Sequence, residues 1–199
     1  IMLMSAILLT ACGETKVAIT ADKATDNEII VASKGKMQTS IKESFDKSYY
    51  NKDDLEKFIK DDISSFNSQN GTKVAFNSMK VEKSNVYVVI DYPTITDYNA
   101  YDDYQVTSLS NSEAKGNLIV PSKVKVYGKN KSVSKDKALK DGKYSVVVLS
   151  AKEESSKGNK INTKLTVAGK IKYAVNAKKF DSNTVKVTSV KEPVVVIYK

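Results

Sequence analysis

The chain has 199 residues, with no histidine, no tryptophan and a single cysteine, Cys12. It has no arginine either, so all 32 basic residues are lysines. Each absence closes a class of chemistry. Without histidine there is no Ser-His-Asp or Cys-His nucleophile, no imidazole metal ligand and no side chain ordinarily poised to titrate near neutral pH. One cysteine cannot build a disulfide framework or a thiolate metal site. Without arginine there is no planar, two-pronged donor for phosphate or guanine. Lysine charge alone attracts nucleic acid only non-specifically and in a salt-sensitive way, so nucleic acid is not an expected partner despite a net charge of +9.

What is present begins with "IMLMSAILLTACGETK". Residues Met2 to Ala11 carry no charge, and the run stops at the only cysteine. A membrane-spanning helix needs ~20 apolar residues, so this block is too short to span. It has the length of the apolar core of a secretory signal, ~7–15 residues. Leu9-Thr10-Ala11-Cys12 resembles the lipobox of bacterial exported lipoproteins: a branched apolar residue, two small residues and a cysteine. The resemblance implies a diacylglyceryl group on the Cys12 thiol, cleavage before Cys12, and a protein tethered to the extracellular face of the cytoplasmic membrane. The two acyl chains of that group meet the two-signal requirement for stable anchoring. No other cofactor and no metal are expected. The missing basic residues before the apolar block suggest a signal truncated at its start. The richness in lysine, asparagine and serine is similar to that of exported lipoproteins of Gram-positive, clostridial-type bacteria, a likeness that brings no characterised activity with it.

The remaining pattern predicts an α+β fold, an antiparallel sheet covered by one main helix at about 52–69 and continuing into a mostly antiparallel β half. Residues 1–11 are read as the signal, 12–26 as the lipidated N-terminus and a flexible spacer, 27–118 as an α+β region and 119–199 as a mostly β region. One continuous domain and two domains both remain open. Ile29-Ile30-Val31 is expected to pair with Met37 to Phe45 across Lys34-Gly35. Leu55, Phe58, Ile59, Ile63 and Phe66 recur at helical spacing after the N-cap candidate Asn51, and Asn70-Gly71 provides a stop. Two strands joined at Lys83-Ser84-Asn85 follow. A short helix from Asp97, capped by Thr96, and a strand at Gln105 to Leu109 are expected next. Beyond Ile119, lysine alternates with valine, isoleucine, leucine or tyrosine, as in a half-solvated antiparallel sheet, with a short helix ended by Gly142 and a turn at 153–159.

One segment stands out for chemistry. Tyr92, Asp97, Tyr98, Tyr101, Asp102, Asp103 and Tyr104 make an acidic and aromatic cluster in a basic chain. Tyrosine faces suit stacking on sugars or holding a peptide, and the carboxylates could hydrogen-bond sugar hydroxyls or hold Ca²⁺ through oxygen ligands. The competing reading places Tyr98 and Tyr101 in the core with the acids as a solvated face. The spacing fits no EF-hand loop. Phe45, Tyr49 and Tyr50 read as packing at the helix start. The doublets Asp53-Asp54, Asp61-Asp62 and Asp102-Asp103 could in principle serve a glycosidase pair, but adjacent helical residues diverge. The expected function is therefore a non-catalytic binding or structural lipoprotein of the cell envelope. The alternatives are a lipoprotein that captures a small ligand or glycan through the Tyr92–Tyr104 segment, and a carboxylate-dependent wall hydrolase. Expected partners are the membrane itself and anionic wall polymers, glycan or envelope proteins.

Overall fold

The computed structural model describes residues 18–152 and 160–199. The signal, the Cys12 motif and the turn expected at 153–159 lie outside the described residues. The first hairpin joins β1 (Glu28–Val31) to β2 (Met37–Ser44). Lys34 and Gly35 turn the chain with left-handed φ values of 61° and 73°. Helix α1 (Lys52–Asn70) starts where the Asn51 side chain accepts the N–H groups of Asp53 and Asp54, and stops at Gly71, which is left-handed at φ 65°. Strands β3 (Ala75–Glu82) and β4 (Asn85–Tyr92) form the second hairpin.

Helix α2 (Ile95–Tyr101) begins two residues earlier than expected, because Thr94 rather than Thr96 caps it. The Thr94 hydroxyl accepts the Asp97 N–H, and the Asp97 carboxylate accepts the Thr94 N–H, each at 3.1 Å. Strand β5 (Tyr104–Leu109) follows, then α3 (Asn111–Gly116), a helix the apolar spacing does not announce. A reciprocal Ser110–Glu113 cap sets its start. Next come β6 (Lys123–Val126), β7 (Ser132–Ser134), α4 (Lys135–Ala138) and β8 (Ser145–Ala151). The chain ends with β9 (Lys160–Val167), β10 (Ile171–Val175), β11 (Lys178–Lys179), β12 (Thr184–Ser189) and β13 (Val194–Tyr198). The fold is thus mixed, with four helices among the described residues where one main helix was expected.

The strands make two sheets, ordered β11-β12-β9-β1-β2-β4-β3 and β5-β8-β13-β10-β6-β7. Pairing is antiparallel except between β1 and β9. Strands from either side of residue 118 share both sheets: β9 lies on β1, and β5 lies on β8. The stretch "NTKLTVAGKIKYAVNA" crosses between the sheets at Gly169, putting β9 in one and β10 in the other. Glycine is required there, since a Cβ would meet the Lys199 carbonyl carbon and oxygen at 2.7 Å.

The main core lies between the sheets. Val86, Val88, Ile90 and Tyr92 of β4 meet Val147 and Leu149 of β8 and Val194 and Val196 of β13 in one buried cluster. The alternate residues Val146, Val148, Val195 and Ile197 point to the opposite face and are covered by Ala114 of α3, Ala138 of α4 and Leu139. β8 and β13 are therefore buried on both faces, which explains their unbroken apolar runs and corrects the half-solvated expectation for them. Residues 18–26, read as part of a spacer, lie on the outer face of the first sheet. Ala21 and Ala24 cover Tyr87 and Val89, and the Gln38 amide exchanges hydrogen bonds with the Ile19 backbone at 2.9 and 3.2 Å.

Asp26 anchors the end of that segment. Its carboxylate meets the Lys164 ammonium at 2.6 Å. The hydrogen bond from Lys164 holds the Asp26 carboxyl below its ordinary pKa. A lowered folded-state value means stability that is present above the unfolded-state pKa and lost as pH falls through the folded one. Half of the Asp26 side chain is exposed, so solvent screening limits the contribution to about 0.2–1 kcal/mol. Asp26→Asn is expected to destabilise by that amount near neutrality and to make no difference in strong acid. Denaturant titrations at the two conditions check this, and an equal loss in both would refute the ion-pair account.

Candidate functional site

α1 does not seal the sheet beneath it. Of its apolar stripe only Ile63 is buried, Leu55, Ile59 and Phe66 are half-buried, and Phe58 is 67% exposed, contrary to the expected core face. The gap is a cleft of about 520 Å³, within the ~300–1,000 Å³ range of ligand pockets. Ile41, Val86, Val88 and Ile90 of the sheet line its floor, and Leu55, Phe58 and Ile59 its helical side.

Aromatic rings frame the opening. Phe45 stacks on Tyr50 at 5.0 Å and 28°, and Tyr49 meets Tyr50 edge-on at 5.0 Å. Tyr49 and Tyr50 remain 77% and 43% exposed, so they border the cleft instead of packing into the core. Tyr101 closes another side. Its hydroxyl donates to the Asp62 carboxylate at 2.9 Å, and its ring sits edge-on to Phe66 at 5.0 Å. Partial burial, helped by the Asp62 carboxylate, pushes the Tyr101 phenol well above its ordinary pKa, so it stays a neutral donor.

A second cavity of about 390 Å³ adjoins the first, and Ile41 and Glu43 of β2 line both. This one is polar: Asn27, Thr39, Asn162 and Thr163 contribute amides and hydroxyls, and Asp102 and Lys160 contribute charges, while Glu28 and Ser40 face the outer side, where they bond to Thr166 and to the Asp26 carbonyl. Together the cavities form a trough on the inner face of the first sheet, apolar and aromatic at one end and polar at the other. Among the described residues the two cavities are lined by the carboxylates of Glu43, Asp54, Asp62 and Asp102 and by Lys160.

The structure divides the sequence-derived cluster. Tyr92 and Tyr98 are core residues, 1% and 0% exposed, with rings edge-on at 5.3 Å. Burial is the main reason their phenols are held far above the ordinary range. The Tyr92 hydroxyl is paired with Thr39 inside the protein at 3.1 Å. Asp97 is a helix cap, and it also accepts the Lys73 N–H at 3.1 Å. Asp103 is half-exposed and lines neither cavity. Tyr101 reaches the apolar cleft, while Asp102 and Tyr104 reach the polar cavity.

Their positions follow from local chemistry. The Asn99 amide donates to the Val106 carbonyl and accepts the Val106 N–H, both at 2.8 Å, pinning α2 to β5. Asp102 caps the helix end through its N–H to Tyr98 O at 2.8 Å, and its carboxylate accepts the Tyr104 N–H. The α2–β5 junction thus forms part of the wall of both cavities. Sequence reasoning missed Phe58, Asp62, Glu43 and the β1–β9 contribution, because these join only through the tertiary fold. The exposed Tyr49-Tyr50 pair was the available signal.

No group of three or more acidic or cysteine side chains placed to hold a metal occurs among the described residues. Among them, too, no helix is long and apolar enough to cross a membrane. Comparison with protein-family models, curated proteins and solved structures finds no match to this chain.

Proposed function

We propose that the chain is a lipoprotein held at the extracellular face of the cytoplasmic membrane by a diacylglyceryl group on Cys12, and that it acts there as a non-catalytic binding module of the cell envelope. Its ligand site is the trough between α1 and the first sheet. The anchor rests on Leu9-Thr10-Ala11-Cys12 and the apolar block before it. The observation that carries the binding role is the pair of adjoining cavities that share Ile41 and Glu43. Tyr101, Asp102 and Tyr104 belong to this site, while Tyr92 and Tyr98 support it from the core.

Two measurements test the proposal. Metabolic labelling with a fatty-acid analogue is expected to mark the wild-type protein in the membrane fraction, and Cys12→Ala is expected to abolish both the label and the membrane association. Labelling that survives Cys12→Ala would remove the anchor. A thermal-shift screen then addresses binding: a ligand at 100 times its Kd stabilises by about 2.7 kcal/mol. For a chain of this size that amounts to roughly 5–10 °C in Tm. A hit that Phe58→Ala weakens places the ligand in the trough.

A further inference from the structure

We infer that the cavity between the β6–β7 turn and β11 is a second, separate binding site, and that it takes a phosphate group. It shares no lining residue with the trough, so it stands or falls independently of that reading. The cavity holds about 250 Å³, below the ~300–1,000 Å³ of sites for drug-sized ligands, and so suits a small anion. Lys125, Lys129 and Lys179 line it together with Asn130, and among the described residues no carboxylate does. Lysines elsewhere meet acids: Lys57 pairs with Asp61, Lys60 with Glu56 and Lys164 with Asp26. Here three like charges border one small space, and an anion placed in it relieves their repulsion.

Local structure holds the parts in place. Lys125 of β6 stands opposite Ala174 of β10 in register, and both line the cavity. The turn after β6 is fixed by the Tyr127 N–H donating to Lys172 O at 2.9 Å and the Lys129 N–H donating to Val126 O at 3.0 Å. The Tyr127 hydroxyl accepts the Phe180 N–H at 3.2 Å, which ties this turn to the chain after β11. Gly128 is left-handed at φ 70°, and a Cβ there would meet Lys179 Cδ at 2.8 Å and Nζ at 3.2 Å. The Lys179 ammonium is thus laid against the bare backbone of the turn that carries Lys129. Among the described residues the N–H groups of Gly128 and Asn130 make no hydrogen bond, so main-chain donors stand beside the ammonium groups. Asp181 follows Phe180, but its carboxylate accepts the Asn183 N–H at 2.9 Å and lines no part of the cavity. Lysine serves phosphate as a compact point charge, and a phosphate ester brings about −1.5 to −2 of charge and three acceptor oxygens. The flanking sequence adds steering, since residues 121–143 hold eight lysines against Asp136 and Asp141.

The test follows the amide resonances of the full-length protein as inorganic phosphate is added at about 0.15 M sodium chloride, where the Debye length is about 8 Å. Saturable shifts are expected at Gly128, Lys129 and Asn130, and acetate is expected to bind about tenfold more weakly than phosphate. Lys125→Gln/Lys179→Gln is expected to weaken phosphate binding about tenfold. Lys140→Gln/Lys143→Gln removes the same charge from positions outside the lining and is expected to change it by less than about twofold. All four lysines are exposed, so these variants keep the fold, as a melting curve verifies. A second arm, co-sedimentation with phosphatidylglycerol vesicles against phosphatidylcholine vesicles, identifies the source of the phosphate. A preference for phosphatidylglycerol lost only in Lys125→Gln/Lys179→Gln assigns a lipid headgroup, whereas the same selective loss with soluble phosphate alone assigns a free phosphate or soluble ester. Equal losses in the two double variants in both arms, or no binding in either, would overturn the site, and acetate binding as tightly as phosphate would overturn the phosphate class. None of these outcomes touches the trough.

Discussion

Tyr98→Ala is expected to cost about 3–5 kcal/mol of stability, the range for removing a fully buried aromatic ring. Tyr98 has no exposed surface, and it packs in the cluster that joins β4, β8 and β13. Its ring meets Tyr92 edge-on at 5.3 Å, a contact that vanishes together with the ring volume. For a chain of this size the loss corresponds to a fall of roughly 6–20 °C in Tm. Tyr98→Phe keeps the ring and removes only the hydroxyl, so it is expected to stay within about 1.5 kcal/mol of wild type. Urea titrations of the three proteins check both numbers. A loss under about 1 kcal/mol for the alanine variant would show that the site collapses around the gap and that the ring is not a core element. The contrast matters for function as well. An alanine at position 98 would diminish any binding by unfolding the protein, so only changes at exposed trough residues such as Phe58 and Glu43 report on the site itself.

That division between core and site was half visible in the sequence. Tyr98 and Tyr101 sit three residues apart, a spacing that predicts one helix face, and α2 does present both toward the first sheet. Spacing cannot say where along that face the protein interior ends. Tyr98 falls under the sheet packing, and Tyr101, one turn later, reaches the edge of α1 and finds Asp62. The outcome for α1 is similar. Its limits were legible because Asn51 and Gly71 act locally, through side-chain capping and a left-handed φ. Its burial was not, since only the placement of β2 and β4 decides that Ile63 is covered while Phe58 is left at an opening.

The sheets were legible as strands and opaque as topology. Hairpins close over a few residues, so β1–β2 and β3–β4 follow from turn chemistry at Lys34-Gly35 and Lys83-Ser84. The β1–β9 pairing spans more than a hundred residues, and no local signal encodes it. The runs in β8 and β13 carry a clue, because three or more consecutive apolar residues indicate cover on both faces. The cover itself comes from α3 and α4, which are short and held largely by caps. The trough inherits this opacity: its floor comes from β2 and β4, its far end from β1 and β9, and its walls from α1 and the α2–β5 junction.

The long-range pairing makes its own prediction, at Leu165. This side chain is fully buried in β9, paired in register with Ile29 of β1 on one side and Val185 of β12 on the other. It belongs to the same cluster as Leu149 and Val196 of the opposite sheet. Leu165→Ala is expected to cost about 2–5 kcal/mol through lost transfer energy and a residual cavity. Because the core is shared, the loss should act on the whole molecule. Unfolding followed by far-ultraviolet circular dichroism and by tyrosine fluorescence is expected to give coincident transitions in wild type and variant alike, both shifted together. Tyrosine is a fitting probe: there is no tryptophan to mask it, and Tyr92 and Tyr98 sit in the shared core. Two separated steps, with only one of them moved by Leu165→Ala, would mean that each sheet holds its own cooperative unit. The trough would then be the surface of the first sheet's unit alone, and Tyr104 of β5, with Asp102 just before that strand, would leave it when the second sheet's unit unfolds. A single step means that the two cavities and the α2–β5 wall between them are lost together in one cooperative transition.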